Sequence, residues 1–544
     1  MRAAVLAPLL TLLLATSCVG AEPVAPAPSV GVTLAPAVSP PARGVFRYAL
    51  AGDPPVLDPW NVSDEVALQV TRQLFDGLVG FAPAGFEVVP RLATSWRVSA
   101  DGLQWTFTLR EGVRFHDGTP LDAAAVVANF ERGRSRTSPL RPSRPAGDDF
   151  DRWAQVWGGF DAEALITRVE APAGGPVTFT TRVPYGPFLA ALALPSFAIV
   201  SPRSIAQDRD GFMLSATKGL AGTGPVLLAP GGWEAGRIPL DRDAGHWDRG
   251  RPGVDQLVFK VVADPLARVA ELRAGGVDAI GDVPLRDLTT VRSDPNLQTI
   301  ARSGGLLASV GISALVKPLD DARVRRALAM ALNRAALIGP VYSGETRVAS
   351  QLVLPAMLGY DDSIVEFARY DVEAARRLLA DAGVITPVTI ELWYPPTTSA
   401  LYSDPRRVAE SFAADLAKIG LNVTLRTTDT RSYRRDAAEG RLPLWLEGGR
   451  PARGDPDDLL GTFVRPVGTW LNPAMIALLR AAEREVDPSK RGELYKQVSK
   501  IAQAEVPRIP AWYVSSAVAA SRRVSGYVPH PSGIESFATV GVTR

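Results

Sequence analysis

Short alternations of apolar and polar residues in the first part of the chain predict β-strands. Residues 46–51 (FRYALA) alternate in this way, and the turn-forming run Gly52-Asp53-Pro54-Pro55 follows them. Residues 96–98 and 105–109 alternate on either side of Asp101-Gly102, a pair that favours a tight turn. The pattern therefore predicts a strand followed by a loop, and then a β-hairpin.

Apolar residues spaced three or four positions apart predict helices elsewhere. Val66, Val70 and Leu74 share one face of the first such segment. Aspartate is a strong residue for beginning a helix, and glycine commonly ends one. The predicted helices are residues 64–75, a helix begun by Asp122, residues 322–338 begun by Asp320 or Asp321, and residues 372–382 begun by Asp371 and ended by Gly383.

The second half of the chain contains a strand, helix and strand in succession. Residues 388–393 have a strand pattern, residues 405–419 a helical pattern that ends at Gly420, and residues 421–427 a second strand pattern. This order predicts a βαβ unit. Strands mixed with helices in this way indicate an α/β protein.

The N-terminus has the layout of a secretory signal. Arg2 precedes a short apolar run at residues 3–15, and Ala15-Thr16-Ser17-Cys18 then resembles the bacterial lipobox, in which the cysteine is lipidated and the chain is cut before it. Residues 1–17 are thus predicted to be a lipoprotein signal peptide, with Cys18 as the lipidation site. The alternative is an ordinary signal peptide whose cysteine is incidental.

The next segment, residues 18–44, is rich in proline and alanine and low in charge. Such a composition predicts an extended tether between the lipid and a folded body. No later stretch contains 18 consecutive apolar residues, so no second membrane segment is predicted. The remaining chain of roughly 500 residues is too long for one hydrophobic core and predicts two or three lobes.

Composition narrows the chemistry that the folded body can perform. Cys18 is the one cysteine, which excludes a disulfide within the chain and a thiolate metal cluster. The histidines, His116, His246 and His530, are far apart, and no phosphate-binding glycine loop or nucleophile elbow is present. The net charge of +2 gives no reason to expect nucleic acid as a partner. No cofactor and no metal site are predicted.

Several motifs, taken together, resemble the family 5 extracellular solute-binding proteins, which include receptors for peptides and nickel chelates. The resemblance covers almost all of the chain after the tether. Its motifs are PVLDP at 55–59, LFDGL at 74–78, PRLATSW at 90–96, FTLREGVRFHDG at 107–118, PLDDARVRRAL at 318–328, GDPDD at 454–458 and PRIP at 507–510.

The resemblance implies an α/β, two-lobed periplasmic-binding-protein-like fold of class II (cluster C) with an extra domain inserted in lobe 1. The chain would cross between the lobes near Leu307 and Trp512, which makes these positions hinge candidates. The predicted bounds are 45–75, 199–308 and 513–544 for lobe 1, 76–198 for the inserted domain, and 309–512 for lobe 2.

The resemblance also implies a function: a non-enzymatic, substrate-binding lipoprotein of a bacterial ABC importer that captures peptides between its lobes. The expected partners are a peptide or other small solute, an ABC permease and ATPase complex, and the membrane through the lipid anchor. The expected location is the outer face of the bacterial cytoplasmic membrane, and the expected state is a monomer. Two alternatives stay open: a non-peptide solute such as a metal chelate or glycan, and a cell-envelope enzyme or regulator on the same scaffold.

Candidate ligand-binding residues lie at one strand end and near one loop of the second half: Trp393 and Tyr394 end a predicted strand, and Trp445 and Glu447 lie near Gly454-Asp455-Pro456. Trp393, Tyr394 and Trp445 could stack on a solute, Glu447 could meet a positive group, and Asp455 lies in the GDPDD motif. The alternative for the aromatic residues is core packing, and for Asp455 a turn or helix cap.

Two positions depart from the dipeptide receptors of this family. The resemblance places Ala452, in the extra segment 448–453, where those receptors use an aspartate for the amino group of the ligand. Their arginine for the ligand carboxylate is replaced near Thr398. Strict dipeptide recognition is therefore not predicted, and Glu447 is the proposed substitute for the missing acid.

Overall fold

The protein is described by a computed structural model. The described residues are 44–142, 149–207, 221–342, 346–355, 357–461 and 472–543. The predicted signal peptide, Cys18 and all of the tether before residue 44 lie outside them. Within the described residues, no helix is long and apolar enough to cross a membrane.

Nineteen strands lie within the described residues. They are β1 Val45–Leu50, β2 Val79–Phe81, β3 Val88–Pro90, β4 Ala93–Val98, β5 Gln104–Leu109, β6 Ile166–Glu170, β7 Val177–Thr181, β8 Val226–Leu228, β9 Arg237–Arg242, β10 Gln256–Val261, β11 Ala279–Ile280, β12 Leu297–Ile312, β13 Thr346–Val348, β14 Val388–Trp393, β15 Leu421–Arg426, β16 Leu444–Gly449, β17 Arg508–Ser521, β18 Val524–Ser525 and β19 Gly541–Val542.

The α-helices of the same residues alternate with these strands. They are α1 Glu65–Leu74, α2 Ala123–Arg134, α3 Asp151–Trp157, α4 Phe188–Leu192, α5 Pro202–Gln207, α6 Pro265–Arg273, α7 Leu288–Ser293, α8 Ala322–Ala331, α9 Ile338–Tyr342, α10 Val372–Asp381, α11 Pro405–Ala417, α12 Thr430–Ala438, α13 Asp457–Leu460, α14 Pro473–Arg484 and α15 Pro488–Glu505.

One large mixed sheet connects the two halves of the molecule. Its strand order is β15-β14-β16-β12-β17-β11-β1-β10-β9-β8, with β13 also paired to β17. The half with β1 and β8–β11 is called the first lobe, and the half with β14–β16 the second lobe. The chain is therefore a two-lobed α/β protein, as predicted.

The long antiparallel strands β12 and β17 run through both lobes. Their pairing shifts register between Arg302 and Leu306, and again between Ala308 and Ser309. Such irregularities bend a strand pair locally. Leu307 and Trp512 both lie in this region, where Leu307 pairs with Tyr513 and Ala308 with Trp512. Their role as hinges stays a prediction.

Local capping chemistry explains where most helices begin. The carboxylates of Asp64, Asp122 and Asp371 each accept a hydrogen bond from a backbone N–H in the first turn of α1, α2 and α10. Gly383 follows α10 with a positive φ of 74°. These helix starts and this stop confirm the sequence predictions.

The helix predicted at 322–338 is wrong in its second half. Asp321 caps α8, but α8 ends at Ala331 and Leu332 is extended. The side chain of Asn333 then accepts a hydrogen bond from Ala336, which begins a separate 3₁₀ turn. The backbone N–H of Asn333 also donates to Asp415 Oδ2 at 2.8 Å. This long-range bond stabilises the non-helical backbone between α8 and the 3₁₀ turn. Hydrophobic spacing alone does not reveal that the helix ends there.

The predicted hairpin and βαβ unit are both present. β4 and β5 pair in antiparallel fashion, and the turn between them has Gly102 at a φ of 72° and an Asp101 carboxylate that accepts the N–H of Leu103. β14 and β15 pair in parallel across α11, and Gly420 has a φ of 84°. The first of these elements lies in the predicted inserted domain and the second in the second lobe.

The segment 76–198, called the insert below, contains the four-stranded sheet β4-β5-β7-β6. Its aromatic side chains share one core with the first lobe: the Trp60 ring stacks on Trp153 at 5.9 Å between centroids. The second lobe has separate cores, one of which includes Trp512 and Phe412 in a stack at 5.6 Å. The predicted domain bounds remain predictions.

Candidate functional site

Two adjoining cavities form a groove between the first lobe and insert on one side and the second lobe on the other, and a third cavity extends this groove into the second lobe. The first, called the end pocket, lies between α1, the start of the insert and the C-terminal segment around His530. The second, called the bridging cavity, lies between the insert and residues 450–458. The third, called the Glu447 cavity, lies inside the second lobe beside β12 and β16.

Shared lining residues join these cavities into one groove. Arg152, Leu194, Arg450 and Ala452 line both the end pocket and the bridging cavity, and Asp458 lines both the bridging cavity and the Glu447 cavity. The bridging cavity has a volume of about 500 Å³, and the adjoining end pocket has a volume of about 180 Å³. Clefts that hold small ligands measure about 300–1,000 Å³. The groove therefore has room for a small solute.

The segment after β16 forms one wall of the groove and contacts the opposite side. Arg453 Nη1 donates to the hydroxyl of Tyr185 in the insert at 2.9 Å, and the N–H of Gly186 donates to the carbonyl of Glu483 at 2.7 Å. Arg450 Nη2 donates to Asp282 Oδ2 of the first lobe at 3.0 Å. Solute in the groove would therefore be enclosed by groups of both lobes.

Burial changes the acidity of several groups at the bridging cavity. It raises the pKa of Tyr185 to about 12, although the nearby Arg453 acts in the opposite direction. Burial also raises the pKa of Asp458 above its ordinary value, against the lowering effect of Arg453. The pKa of Glu483 is raised mainly by burial and also by Asp457. Burial is therefore the largest cause of all three shifts.

Glu447, the predicted carboxylate, lines the cavity named after it. Its Oε1 lies 2.6 Å from Arg508 Nε, and its Oε2 accepts a hydrogen bond from Trp445 Nε1 at 2.9 Å. Ser309 is its register partner on β12. Arg508 already supplies Glu447 with a positive partner, so an incoming cation would have to share or displace it. Contact between Glu447 and a solute stays a prediction.

The predicted aromatic residues lie on neighbouring strands of the second lobe. Trp393 and Trp445 are register partners on β14 and β16, and Trp445 is only 2% exposed. Trp445 packs directly over Gly311, where any side chain would overlap its ring. The partly buried Tyr394 packs against the core of the second lobe. None of the three lines the groove cavities described above, and their contact with a solute stays a prediction.

Asp455 is held inside the second lobe by Arg491. It is 6% exposed, and its oxygens accept hydrogen bonds from Arg491 Nη1 at 2.5 Å and Nη2 at 2.7 Å. Its Oδ1 also accepts the backbone N–H of Asp457 at 3.0 Å. Burial raises the pKa of Asp455, but Arg491 outweighs it and holds the pKa below its ordinary value. These contacts match the turn role given above as the alternative, while its ligand role stays a prediction.

Five arginines that sequence patterns did not single out line the end pocket of the groove: Arg72, Arg91, Arg152, Arg251 and Arg450. Ala452 lies among them, whereas Thr398 is exposed and lies outside the cavities described here. The sequence contains one indication for Arg72. It falls four residues after Leu68 and therefore lies on the same helix face, which is otherwise largely buried. The others approach the groove only through tertiary packing.

Two lobes joined by two shared strands, with a groove between them, define an extracytoplasmic solute-binding protein. The chain belongs to the bacterial extracellular solute-binding proteins, family 5, whose middle-region model matches residues 87–470. This confirms the resemblance predicted from the motifs. Members of this family are non-enzymatic transport receptors, and related proteins bind solutes for ABC importers.

Similar proteins agree with this assignment over nearly the whole chain. Heme-binding protein A of Haemophilus influenzae is 30% identical over 92% of this chain and 93% of its own. Di/tripeptide-binding protein 2 of Pseudomonas aeruginosa is 30% identical over 86% and 89%. The structure of HbpA2 from Haemophilus parasuis matches with a TM-score of 0.83 at 28% identity, over 92% of this chain and 100% of that one.

Proposed function

We propose that this protein is the substrate-binding lipoprotein of a bacterial ABC importer, anchored through a lipid on Cys18, and that it captures peptides and delivers them to a membrane permease. Family membership supports the receptor role. Peptide cargo is supported by relatives named as dipeptide- and di/tripeptide-binding proteins, and by the DppA of Helicobacter pylori solved in complex with the peptide STSA, with a TM-score of 0.73 at 25% identity over 93% and 99% of the two chains.

The observation that carries the proposal is a groove with walls from both lobes. Arg152 and Leu194 belong to the insert, which shares a core with the first lobe, while Arg450 and Ala452 belong to the second lobe. A solute that contacts both walls binds the closed arrangement better than the open one. This difference in affinity is what shifts a two-lobed protein toward closure.

Native mass spectrometry of protein purified from its own host tests the proposed cargo. We expect a set of short peptides to co-purify with the wild type and to be released by denaturation. Ala452→Trp should lose them, because Ala452 is exposed at the junction of the end pocket and the bridging cavity. Ala380→Trp, an exposed position on α10, is the matched control and should retain them.

A co-purified sugar or metal chelate without any peptide would reject peptide cargo. Retention of the same peptides by Ala452→Trp would instead place their binding outside the groove.

A further inference from the structure

The end pocket has a strongly positive lining. Its arginines are Arg72, Arg91, Arg152, Arg251 and Arg450, and Glu65, at its exposed edge, is the acidic residue of the lining. The remaining polar lining includes His530. Burial, together with the charge of Arg72, lowers the pKa of His530 to about 3, so that this ring is neutral at physiological pH.

Three of the arginines have partners that account for their positions. Arg450 lies 3.0 Å from Asp282, and Arg251 lies 3.1 Å from Asp248. Arg152 Nη2 donates to the carbonyl of Ser63 at 3.3 Å.

Arg72 and Arg91 differ from these three. In the part of the chain that the structure describes, no carboxylate lies within 4.0 Å of either guanidinium. The Nε of Arg91 is moreover buried without a hydrogen-bond acceptor. A buried donor of this kind is costly unless a partner is supplied. The nearby Asp76 is not its hydrogen-bond partner, and the bonds that Asp76 Oδ2 accepts come instead from Trp247 and Thr223.

The electrostatics of the two arginines agree with this geometry. Burial lowers the pKa of Arg72 to about 10, and the positive charge of Arg91 contributes to the lowering. Burial likewise lowers the pKa of Arg91, against the opposing effect of Asp76. A guanidinium group stays protonated at neutral pH, so two neighbouring positive charges face the pocket. An anion bound there would relieve their repulsion.

The pocket also has an apolar wall. Leu68 lies one helical turn before Arg72 on α1, and Phe81, Leu194 and Ile534 complete this wall. Ala452 also lines the pocket, at the position where the dipeptide receptors of this family use an aspartate for the amino group of the ligand. The groove therefore has cationic groups without that acid, which favours anchoring a solute by its acidic end.

We propose that the end pocket binds a carboxylate of the transported solute, with Arg72 and Arg91 as its hydrogen-bond donors and the apolar wall holding the adjoining body of the solute. The solute class is thus a small organic acid with an apolar part, and a short peptide would enter with its C-terminal carboxylate first. This inference rests on the proposed solute-binding function and specifies its substrate class.

Calorimetric titration with matched acid and neutral probes tests the proposal. The probes are the dipeptide Ala-Leu and its C-terminal amide, glutathione and its diethyl ester, and hemin and its dimethyl ester. Protein is first freed of co-purified solute by unfolding and refolding. We expect at least one acid to bind about tenfold to a hundredfold more tightly than its neutral counterpart, as charge-assisted hydrogen bonds require.

Variants assign this preference to the two arginines. Arg72→Gln and Arg91→Gln should each weaken binding of the acid probe by about tenfold or more and leave the affinity for the neutral probe unchanged. Arg377→Gln removes one charge from the exposed face of α10 and should change neither. Arg72→Lys should retain part of the preference, because it keeps the charge while losing the planar donors. Circular dichroism melting establishes that each variant is folded.

The outcomes separate this inference from the proposed function. If peptide amides and acids bind equally, or if the double Gln variant keeps the preference for acids, the inference is overturned while peptide capture stands. If hemin binds through the two arginines and no peptide binds, peptide cargo is wrong and the inference stands. If no acid probe binds, the inference is overturned.

Discussion

Arg450 Nη2 of the second lobe donates a 3.0 Å hydrogen bond to Asp282 Oδ2 of the first lobe. Arg450 Nη1 also donates to the carbonyl of Pro531 at 3.0 Å, and Asp282 Oδ1 lies 3.3 Å from the buried Arg302. Burial raises the pKa of Asp282, but Arg450 and Arg302 outweigh it and hold the pKa below its ordinary value. This pair is a direct charged link between the lobes at the edge of the solute groove.

Removing the link should favour opening of the lobes. In Arg450→Ala, Asp282 keeps Arg302 as its partner. Because Asp282 is partly exposed, the closed arrangement should lose only about 1 kcal/mol of free energy relative to the open one, which lowers the closed population about fivefold. We expect a larger radius of gyration by X-ray scattering and faster solute dissociation. Arg377→Ala is the surface control. Unchanged scattering and dissociation in Arg450→Ala would show that the link does not hold the lobes.

The Asp455–Arg491 pair should be essential for stability of the second lobe. Asp455→Asn leaves the Arg491 charge buried without its partner, which costs about 3–5 kcal/mol of unfolding free energy. Urea unfolding at pH 7 measures this loss. The double variant Asp455→Asn/Arg491→Met should be less destabilised than the single one, because no buried charge is left unpaired. Equal stability of wild type and Asp455→Asn would contradict the structural role.

The same pair predicts a pH dependence. The pKa of Asp455 is lower in the folded than in the unfolded protein. Its contribution is therefore fully present above the unfolded pKa of about 3.9 and is lost as the pH falls through the folded pKa. Unfolding free energies of wild type and Asp455→Asn should converge as the pH falls below about 4. If the two unfolding free energies differed by the same amount over this pH range, the Asp455 carboxylate would not be the source of the pH dependence.

Gly311 should be required by the ring of Trp445. A methyl group at Gly311 would overlap the indole on the neighbouring strand, so Gly311→Ala should destabilise the protein by about 1–3 kcal/mol. Adding Trp445→Leu to Gly311→Ala should restore part of that loss by making space. Urea unfolding of the four proteins in this cycle gives the coupling energy. Strict additivity would mean that the two residues do not share this space.

Membrane attachment should depend on Cys18. Cys18→Ser removes the thiol that the lipobox-like motif presents for lipidation. We expect the wild type to enter the detergent phase in a detergent partition assay, and Cys18→Ser to remain in the aqueous phase or keep its signal peptide. Intact mass spectrometry of the wild type should show a lipid on the N-terminal cysteine. Aqueous partition of both proteins would reject the anchor.

Local chemistry made much of the fold predictable. The hairpin at Asp101-Gly102 and the helix begun by Asp371 depend on residues a few positions apart, and the sequence displays such patterns directly. The break after Ala331 was missed because Asn333 is held by Asp415, which is 82 residues away. Hydrophobic spacing contains no information about that contact.

The groove was harder to predict than the fold. Trp445 and Glu447 are candidates because they lie near the Gly454-Asp455-Pro456 loop, yet Trp445 packs on Gly311 and Glu447 is paired with Arg508. The juxtaposition of Arg72 and Arg91 arises where α1 packs beside the chain that follows β3. Charge patterns along the sequence do not display such proximity, since it depends on how separate elements meet.

A solute that bridges the two lobes should close them. X-ray scattering detects this closure in the mature protein, first stripped of solute and then mixed with the molecules extracted from its own host. The radius of gyration should decrease when the solute is returned. Identical scattering curves in both states, with no extractable molecule in the purified protein, would contradict this prediction.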